Sequence, residues 1–174
     1  MARKPKAKYK KPYLDSSVFI AWVNNETDIK GVNRKAIADD ILNAAKDGRL
    51  RVYTSALTIA EVYKMRNGPR LSNANGDRLL AFFESEFILF VDLERRVAEA
   101  AHRLCQQHGI LPCDGVHLSS AKEAKCDVLL AWDDRFGNVD DPDIKIEEPQ
   151  IAVGQLSMDK EMAADAGDEG GDEE

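Results

Sequence analysis

The sequence predicts an α/β protein arranged as a three-layer α/β/α sandwich, with a mainly parallel central sheet between layers of helices. Strand-like and helix-like segments alternate along the chain, an order typical of parallel strands joined by helical crossovers. The segment "FILFVDL" is a continuous apolar run, as expected for a strand that is buried on both faces. The 174 residues contain no interior linker and no repeat, so we expect one domain with one core.

The first predicted strand ends at an acidic residue. "PYLD" is a short strand signal, and because Asp and Ser are good N-caps we expect a helix to begin at Asp15, Ser16 and Ser17. Residues 31–47 form the next predicted helix, which ends at Gly48. Its apolar residues share one helical stripe: Val32, Ala36, Ile37, Ile41, Leu42 and Ala45.

A second strand and its helix follow. "RVYTS" has the composition of a strand. "SALTIAEVYKMRNGP" predicts a helix that is capped by Ser55 and stopped by "NGP". Leu57, Ala60 and Tyr63 are spaced to form its apolar face.

The second half of the chain repeats this alternation. Residues 76–86 are predicted to be helical and precede the "FILFVDL" strand. Residues 93–108 form a predicted helix whose apolar face consists of Leu93, Val97, Ala101, Leu104, Cys105 and His108. The helix "GVHLSSAKEAK", the strand "DVLLA" and a weak last strand "IKIEE" complete the predicted fold near residue 148.

The composition is that of a soluble globular protein, with 44% hydrophobic and 32% charged residues. No apolar run approaches the roughly 20 residues of a membrane span. The basic first residues lack the apolar stretch of a secretory signal. Three cysteines without a disulfide framework favour a reducing, cytoplasmic location.

Charge divides the chain into three parts. Residues 1–11 form a basic arm with six bases and no acid, and residues 12–150 are the predicted folded domain. Residues 151–174 form an acidic tail, in which positions 158–174 hold eight acids and one lysine. We expect the tail to be disordered, because it has almost no apolar bulk. The arm is either a nucleic-acid contact or an ordinary frayed terminus.

Four acidic residues occupy comparable places in the predicted fold. Asp15 and Asp133 follow strands, Asp114 lies at the start of a helix, and Glu61 lies early in a helix that follows a strand. The carboxyl ends of parallel strands meet at one edge of the sheet, where ligands bind. Because clustered carboxylates repel one another, several ionised ones in one place indicate a cation such as Mg²⁺ or Mn²⁺.

Each acid also has a simpler interpretation. Asp114 is explained equally well as a helix cap, Asp133 as a turn residue, and Glu61 as part of a solvated helix face. Asp15 is hardest to explain in this way, because it interrupts apolar sequence in a predicted central strand, where an unpaired carboxylate is costly.

The order Asp, Glu, Asp, Asp in these contexts resembles the PIN-domain ribonucleases, most closely the VapC-type toxins of VapBC toxin–antitoxin pairs. The segments that carry the resemblance are "YLDSSVFIAW", "SALTIAEVYK" and "LPCDGVHLSSAKEAKCDVLLAWDDRF", which with their connections cover residues 12–147. The resemblance implies that Asp15 and Asp114 are the principal metal ligands, with Glu61 and Asp133 as the other acidic residues. Ser16 and Ser17 would then donate hydrogen bonds to these carboxylates. Ala131 stands where the family often has Thr or Ser.

The resemblance implies an endoribonuclease that needs Mg²⁺ or Mn²⁺, acts as a toxin, forms a homodimer and is silenced by an antitoxin protein. A housekeeping RNA-processing nuclease and a non-catalytic RNA- or protein-binding module are the alternatives. Because RNA must approach an acidic site, we interpret Lys64, Arg66 and Arg135 as phosphate contacts.

One further pattern suggests a different metal. Cys105, His108, Cys113 and His117 have the spacing C-x2-H-x4-C-x3-H, which is superficially that of a zinc site. We favour structural roles instead, because Cys105 and His108 fit the apolar face of a helix and His117 falls where the family often has a core-facing histidine.

Overall fold

A computed structural model describes residues 8–24, 31–63, 70–132, 134–137 and 139–151. The strands are β1 Pro12–Leu14, β2 Val52–Ser55, β3 Ile88–Val91, β4 Val128–Leu130 and β5 Lys145–Glu147. The helices are α1 Ser16–Asn24, α2 Arg34–Lys46, α3 Ala56–Glu61, α4 Asn73–Phe83, α5 Arg95–His108 and α6 Pro112–Glu123, with a 3-10 turn at Asp134–Phe136. Within the described part of the chain, no helix is long and apolar enough to cross a membrane.

The five strands form one parallel sheet in the order β3-β2-β1-β4-β5. β1 therefore lies in the middle, and the chain builds outward from it in one direction through β2 and in the other through β4. The reversal of strand order is at β1, and open parallel sheets bind ligands at the carboxyl ends of strands beside such a reversal.

Helices cover both faces of this sheet, which confirms the predicted α/β/α sandwich. One core lies under α1, α2 and α4 and includes Leu14, Val52 and Leu130. The other lies under α5 and α6 and includes Tyr13 and Leu129. Neighbouring residues of a strand point to opposite faces, so the successive apolar residues of β1 and β4 supply both cores.

The prediction that "FILFVDL" is buried on both faces is wrong. β3 is at the edge of the sheet, and only Ile88 among its four residues is buried. An edge strand has a neighbour on one side only, and a run of apolar letters does not distinguish it from a central strand.

The predicted apolar face of α3 also differs from the structure. α3 ends at Glu61, and its buried residue is Thr58, whereas Ala60 and Tyr63 are exposed. The Thr58 hydroxyl is 2.7 Å from that of Thr54, which donates to the Leu14 carbonyl at 2.8 Å. Polar contacts to the sheet, rather than an apolar stripe, therefore orient α3.

The remaining differences lie at helix starts. Val32 and Leu93 precede α2 and α5 and are exposed, so neither belongs to the predicted apolar face. α6 begins at Pro112, with Leu111 as its N-cap, so Asp114 is the third residue of the helix and is not its cap.

Candidate functional site

Asp15 lies at the carboxyl end of the middle strand. Its backbone N–H donates to the Leu130 carbonyl of β4 at 3.0 Å, which extends the β1–β4 pairing by one residue. Its side chain is almost fully buried, and Oδ2 accepts a hydrogen bond from the backbone N–H of Ser17 at 3.0 Å. The start of α1 therefore fixes a carboxylate at the switch point of the sheet.

Glu61 reaches the same place from the neighbouring strand. It is the last residue of α3, the short helix that follows β2 directly and is capped by the Ser55 side chain. The Glu61 side chain is 24% exposed, whereas that of Asp15 is 7% exposed. Glu61 is therefore the carboxylate of this pair that faces solvent.

α6 contributes Asp114 and His117, which are three residues apart and so lie on one face of the helix. His117 is buried, and its Nε2 lies 2.6 Å from Glu61 Oε2 and 3.3 Å from Asp15 Oδ1. Its other ring nitrogen, Nδ1, is 2.8 Å from the hydroxyl of Tyr13, a fully buried residue of β1. One imidazole thus joins the interior of the sheet to two of the carboxylates.

Electrostatics in this cluster favour the charged forms. Burial alone would lower the pKa of His117, but Asp15, Glu61 and Asp114 outweigh it and raise that pKa. Burial alone would raise the pKa of Glu61, but hydrogen bonds from His117, Ser16 and Cys113 lower it. Opposite charges held close together stabilise one another against desolvation.

Asp114 and its surroundings form the other side of the site. The Asp114 side chain is 3% exposed, and Oδ1 lies 3.3 Å from a guanidinium nitrogen of Arg135, whose side chain is 41% exposed. Arg135 is in the 3-10 turn that follows β4. Cys113 is exposed as a residue, but its thiol is partly desolvated. This desolvation, together with the charges of Glu61 and Asp114, raises the pKa of the thiol.

Comparisons with known proteins identify the family to which this fold belongs. The PIN domain model matches residues 13–142, which is most of the chain. The chain belongs to the PIN domain family. No curated protein sequence matches it significantly.

Solved structures share the fold of this PIN domain. A toxin–antitoxin complex from Klebsiella pneumoniae has a chain with a TM-score of 0.58 and 15% identity, covering 80% of this chain and 98% of that one. VapBC2 from Rickettsia felis, bound to a promoter DNA fragment, has a chain with a TM-score of 0.56 and 15% identity. The match covers 80% of this chain and 99% of that one. VapC20 from Mycobacterium tuberculosis, a sarcin–ricin loop cleaving toxin, has a TM-score of 0.54 and 17% identity. The match covers 72% of this chain and 92% of that one.

The structure of this PIN domain brings three of the predicted acids to one edge of the sheet, namely Asp15, Glu61 and Asp114. Asp133 lies outside the described residues, as do Lys64 and Arg66. Ser16 hydrogen-bonds to Glu61, as noted above. Ser17 supports Asp15 through its backbone N–H, while its hydroxyl accepts from the Trp132 backbone N–H at 3.2 Å.

The sequence interpretation placed His117 in the core and missed its contacts with the acids. Among the described residues, the only group of His, Cys, Asp and Glu side chains arranged to hold a metal is Asp15, Glu61 and His117, whose ligand atoms lie within 4.8 Å of one another. The spacing of Asp114 and His117 on one helical face was the available signal. Of the suggested zinc ligands, Cys105, His108 and Cys113 do not belong to this group.

Proposed function

We propose that this PIN domain is a metal-dependent endoribonuclease that hydrolyses RNA phosphodiester bonds as the toxin of a toxin–antitoxin pair. The observation that carries the proposal is the set of buried or half-buried carboxylates, Asp15, Glu61 and Asp114, at the switch point of a parallel sheet. Carboxylates in a mostly buried position are costly unless charge compensates them. Mg²⁺ or Mn²⁺ is the compensation that fits oxygen ligands at a nucleic-acid site.

The metal would be held by Asp15, Asp114, Glu61 and Asp133. Asp15 and Glu61 fit such an ion, because each offers a carboxylate oxygen to a group, completed by His117, whose ligand atoms lie within 4.8 Å of one another; Asp114 lies outside that group. A bound ion of this kind lowers the pKa of a coordinated water and stabilises charge on phosphate oxygens. Backbone and hydroxyl donors of Ser17 and Ser16 hold the carboxylates in place.

Glu61 is the carboxylate of the described set that a water molecule from solvent reaches most easily. Its side chain is the more solvent-accessible of the two carboxylates that contact His117. Its pKa is lowered by the hydrogen bonds from His117, Ser16 and Cys113 against the effect of burial, so it is ionised at neutral pH. An ionised carboxylate of the set that does not itself bind the metal would act as the general base towards the attacking water.

RNA would be bound by cations beside the acids. Arg135 has the exposure and the position for this, since its guanidinium lies at the edge of the site next to Asp114. We propose Lys64 and Arg66, which follow Glu61 in the sequence, as further phosphate contacts.

The biological assignment rests on the similar structures. Two of them are toxin–antitoxin complexes and one is a sarcin–ricin loop cleaving toxin, which supports a protein antitoxin as partner of this chain. We also propose a homodimer acting in the cytoplasm. Size-exclusion chromatography with light scattering tests the dimer, and a mass equal to one chain would reject it.

The decisive experiment measures cleavage of structured and unstructured RNAs with Mg²⁺, with Mn²⁺ and with EDTA. We expect metal-dependent cleavage that falls at least about hundredfold in Asp15→Asn and in Asp114→Asn, because each change removes a ligand charge and keeps the side-chain shape. Asp77→Asn, an exposed residue of α4, is the matched control and should cleave as the wild type does.

The alternatives predict other outcomes. A non-catalytic binding module would retain RNA without cutting it and would not respond to EDTA. A processing nuclease would cleave, but expression in cells would not arrest growth. Cleavage that persists in both variants would show that the carboxylate cluster is not the active site.

A further inference from the structure

We propose that His117 is a direct ligand of the metal ion, through Nε2, alongside Asp15 and Glu61. This nitrogen ligand would give the site a preference for Mn²⁺ and related transition-metal ions over Mg²⁺. The inference rests on the metal site of the proposed function and adds a residue that the acidic pattern does not contain.

The position of the imidazole is the first argument. Nε2 is 2.6 Å from Glu61 Oε2 and 3.3 Å from Asp15 Oδ1. In a six-coordinate ion with bonds of about 2.1 Å, neighbouring ligand atoms are about 3 Å apart. The two observed distances lie on either side of that value. An ion bound to these oxygens of Asp15 and Glu61 would therefore be within bonding reach of Nε2.

The other side of the ring supplies the second argument. A histidine that binds a metal through one nitrogen normally donates the other N–H to a fixed partner. Here Nδ1 lies 2.8 Å from the hydroxyl of Tyr13, a fully buried residue of the middle strand. A tyrosine hydroxyl accepts as well as donates, so it suits the tautomer that leaves the lone pair of Nε2 free for a metal.

A competing interpretation is that Nε2 keeps a proton and only hydrogen-bonds the two carboxylates, which is the form that the neighbouring acids favour by raising the pKa of His117 when no ion is bound. The two interpretations exclude each other, because one lone pair binds either a proton or a metal ion. They also differ in metal preference. Imidazole suits Mn²⁺, Co²⁺ and Zn²⁺, whereas Mg²⁺ prefers oxygen ligands.

The test is electron spin-echo envelope modulation of the Mn²⁺-loaded full chain, which detects a directly bonded nitrogen without reference to cleavage. We expect a nitrogen coupling in the wild type that disappears in His117→Gln, in which an amide replaces the ring. His102→Gln is the matched control, because His102 is an exposed residue of α5. Its nitrogen coupling should equal that of the wild type.

Equilibrium titrations give a second measurement. We expect His117→Gln to weaken Mn²⁺ binding by about tenfold or more. Mg²⁺ binding should change by less than about threefold, since Mg²⁺ gains little from nitrogen. Equal losses for both ions would indicate a merely structural effect and would overturn the proposal.

The outcomes separate this proposal from the proposed function. Bound Mn²⁺ without a nitrogen coupling would overturn direct ligation and leave the nuclease assignment intact. A coupling that persists in His117→Gln would assign the nitrogen to another residue and also overturn the proposal. Failure to bind either ion would overturn both the ligand assignment and the metal-dependent nuclease.

Discussion

Single residues at the candidate site are held by partners that are distant in sequence. His117 contacts Tyr13, 104 positions earlier, and Glu61, 56 positions earlier. The sequence allowed Asp15 to be predicted, because a carboxylate interrupts apolar sequence at a strand end. It did not allow the contacts of His117 with Glu61 and Asp15 to be predicted, because an imidazole on a mostly buried helix face has the same local pattern whether it packs against apolar residues or contacts acids.

Arg135 gives a prediction at this scale. Its guanidinium lies 3.3 Å from Asp114 Oδ1, and we expect it to contact a phosphate when RNA binds. Arg135→Gln should weaken RNA binding about equally for all sequences. The plot of log binding constant against log salt concentration has a negative slope, and its magnitude should decrease by about one. Titrations of the Asp15→Asn background, which should not cleave, at several salt concentrations measure this slope.

An exposed arginine of α5 provides the control for this measurement. Arg103→Gln removes the same charge away from the acids and should leave the slope unchanged. If Arg135→Gln and Arg103→Gln behave alike, Arg135 makes no specific phosphate contact.

At the scale of elements, α5 and α6 pack together at a glycine. A Cβ at Gly115 would collide with Cys105 Sγ and would lie 3.0 Å from the Ala101 carbonyl oxygen. The backbones of the two helices are close enough that only glycine fits between them. This contact sets the position of α6, and with it Asp114 and His117.

Gly115→Ala should therefore destabilise the fold by about 1–3 kcal/mol, the usual cost of overpacking. Urea denaturation measures the change. Gly76→Ala is the control, because Gly76 lies inside α4 with no atom within 4 Å of the added Cβ. That substitution should stabilise by about 0.5–1 kcal/mol. Combining Gly115→Ala with Cys105→Ala should restore part of the loss.

A partly buried ion pair joins α6 to the segment that enters β5. Lys122 Nζ lies 2.7 and 2.6 Å from the two carboxylate oxygens of Asp141, whose side chain is 2% exposed. Burial raises the pKa of Asp141, but the hydrogen bond from Lys122 outweighs it, so the pKa lies below its usual 3.8. The stability this pair contributes is therefore present above pH 3.8 and is lost as the pH falls through the folded-state pKa.

Lys122→Met should lower the free energy of unfolding by about 1–3 kcal/mol at neutral pH, because it leaves the Asp141 carboxylate without its main hydrogen-bond donor. The difference from the wild type should shrink as the pH falls below 3.8. Thermal unfolding at a series of pH values measures it. Lys46→Met, at the exposed end of α2, should show no such pH dependence.

The strands and helices could be predicted from the sequence, whereas the order of the strands and the orientation of α3 could not. The alternation of strands and helices identified the sandwich, because parallel strands need crossover helices. The same patterns could not show that β3 is an edge strand, because strand order depends on tertiary packing. They also could not show that α3 is oriented by Thr54 and Thr58, because buried hydroxyl contacts leave no apolar periodicity.

At the scale of the whole molecule, charge is separated along the chain. The net charge of −7 is carried by residues 158–174, and the other 157 residues are neutral overall. Lys8 Nζ donates to Gln150 Oε1 at 2.6 Å, so the basic arm and the acidic tail join the domain at neighbouring points. Like charge on the tail opposes the approach of RNA.

Deleting residues 158–174 should therefore speed RNA association several-fold at low salt, with the difference vanishing at high salt, where charges are screened. Stopped-flow measurements on the Asp15→Asn background test this. A variant with the tail acids changed to their amides should match the deletion. If the deletion alone has the effect, the tail acts through its bulk and not through its charge.

The strand order has a consequence during protein synthesis. β1 lies between β2 and β4, so one of its two neighbours arrives only at Val128–Leu130, and Asp114 and His117 arrive on the helix just before β4. At about 5–20 residues per second, about 5 to 20 seconds separate the emergence of Asp15 from that of Asp114 and His117. A nascent chain on the ribosome thus lacks the assembled site until at least about three quarters of it has been translated, so an unfinished chain cannot carry out the proposed cleavage.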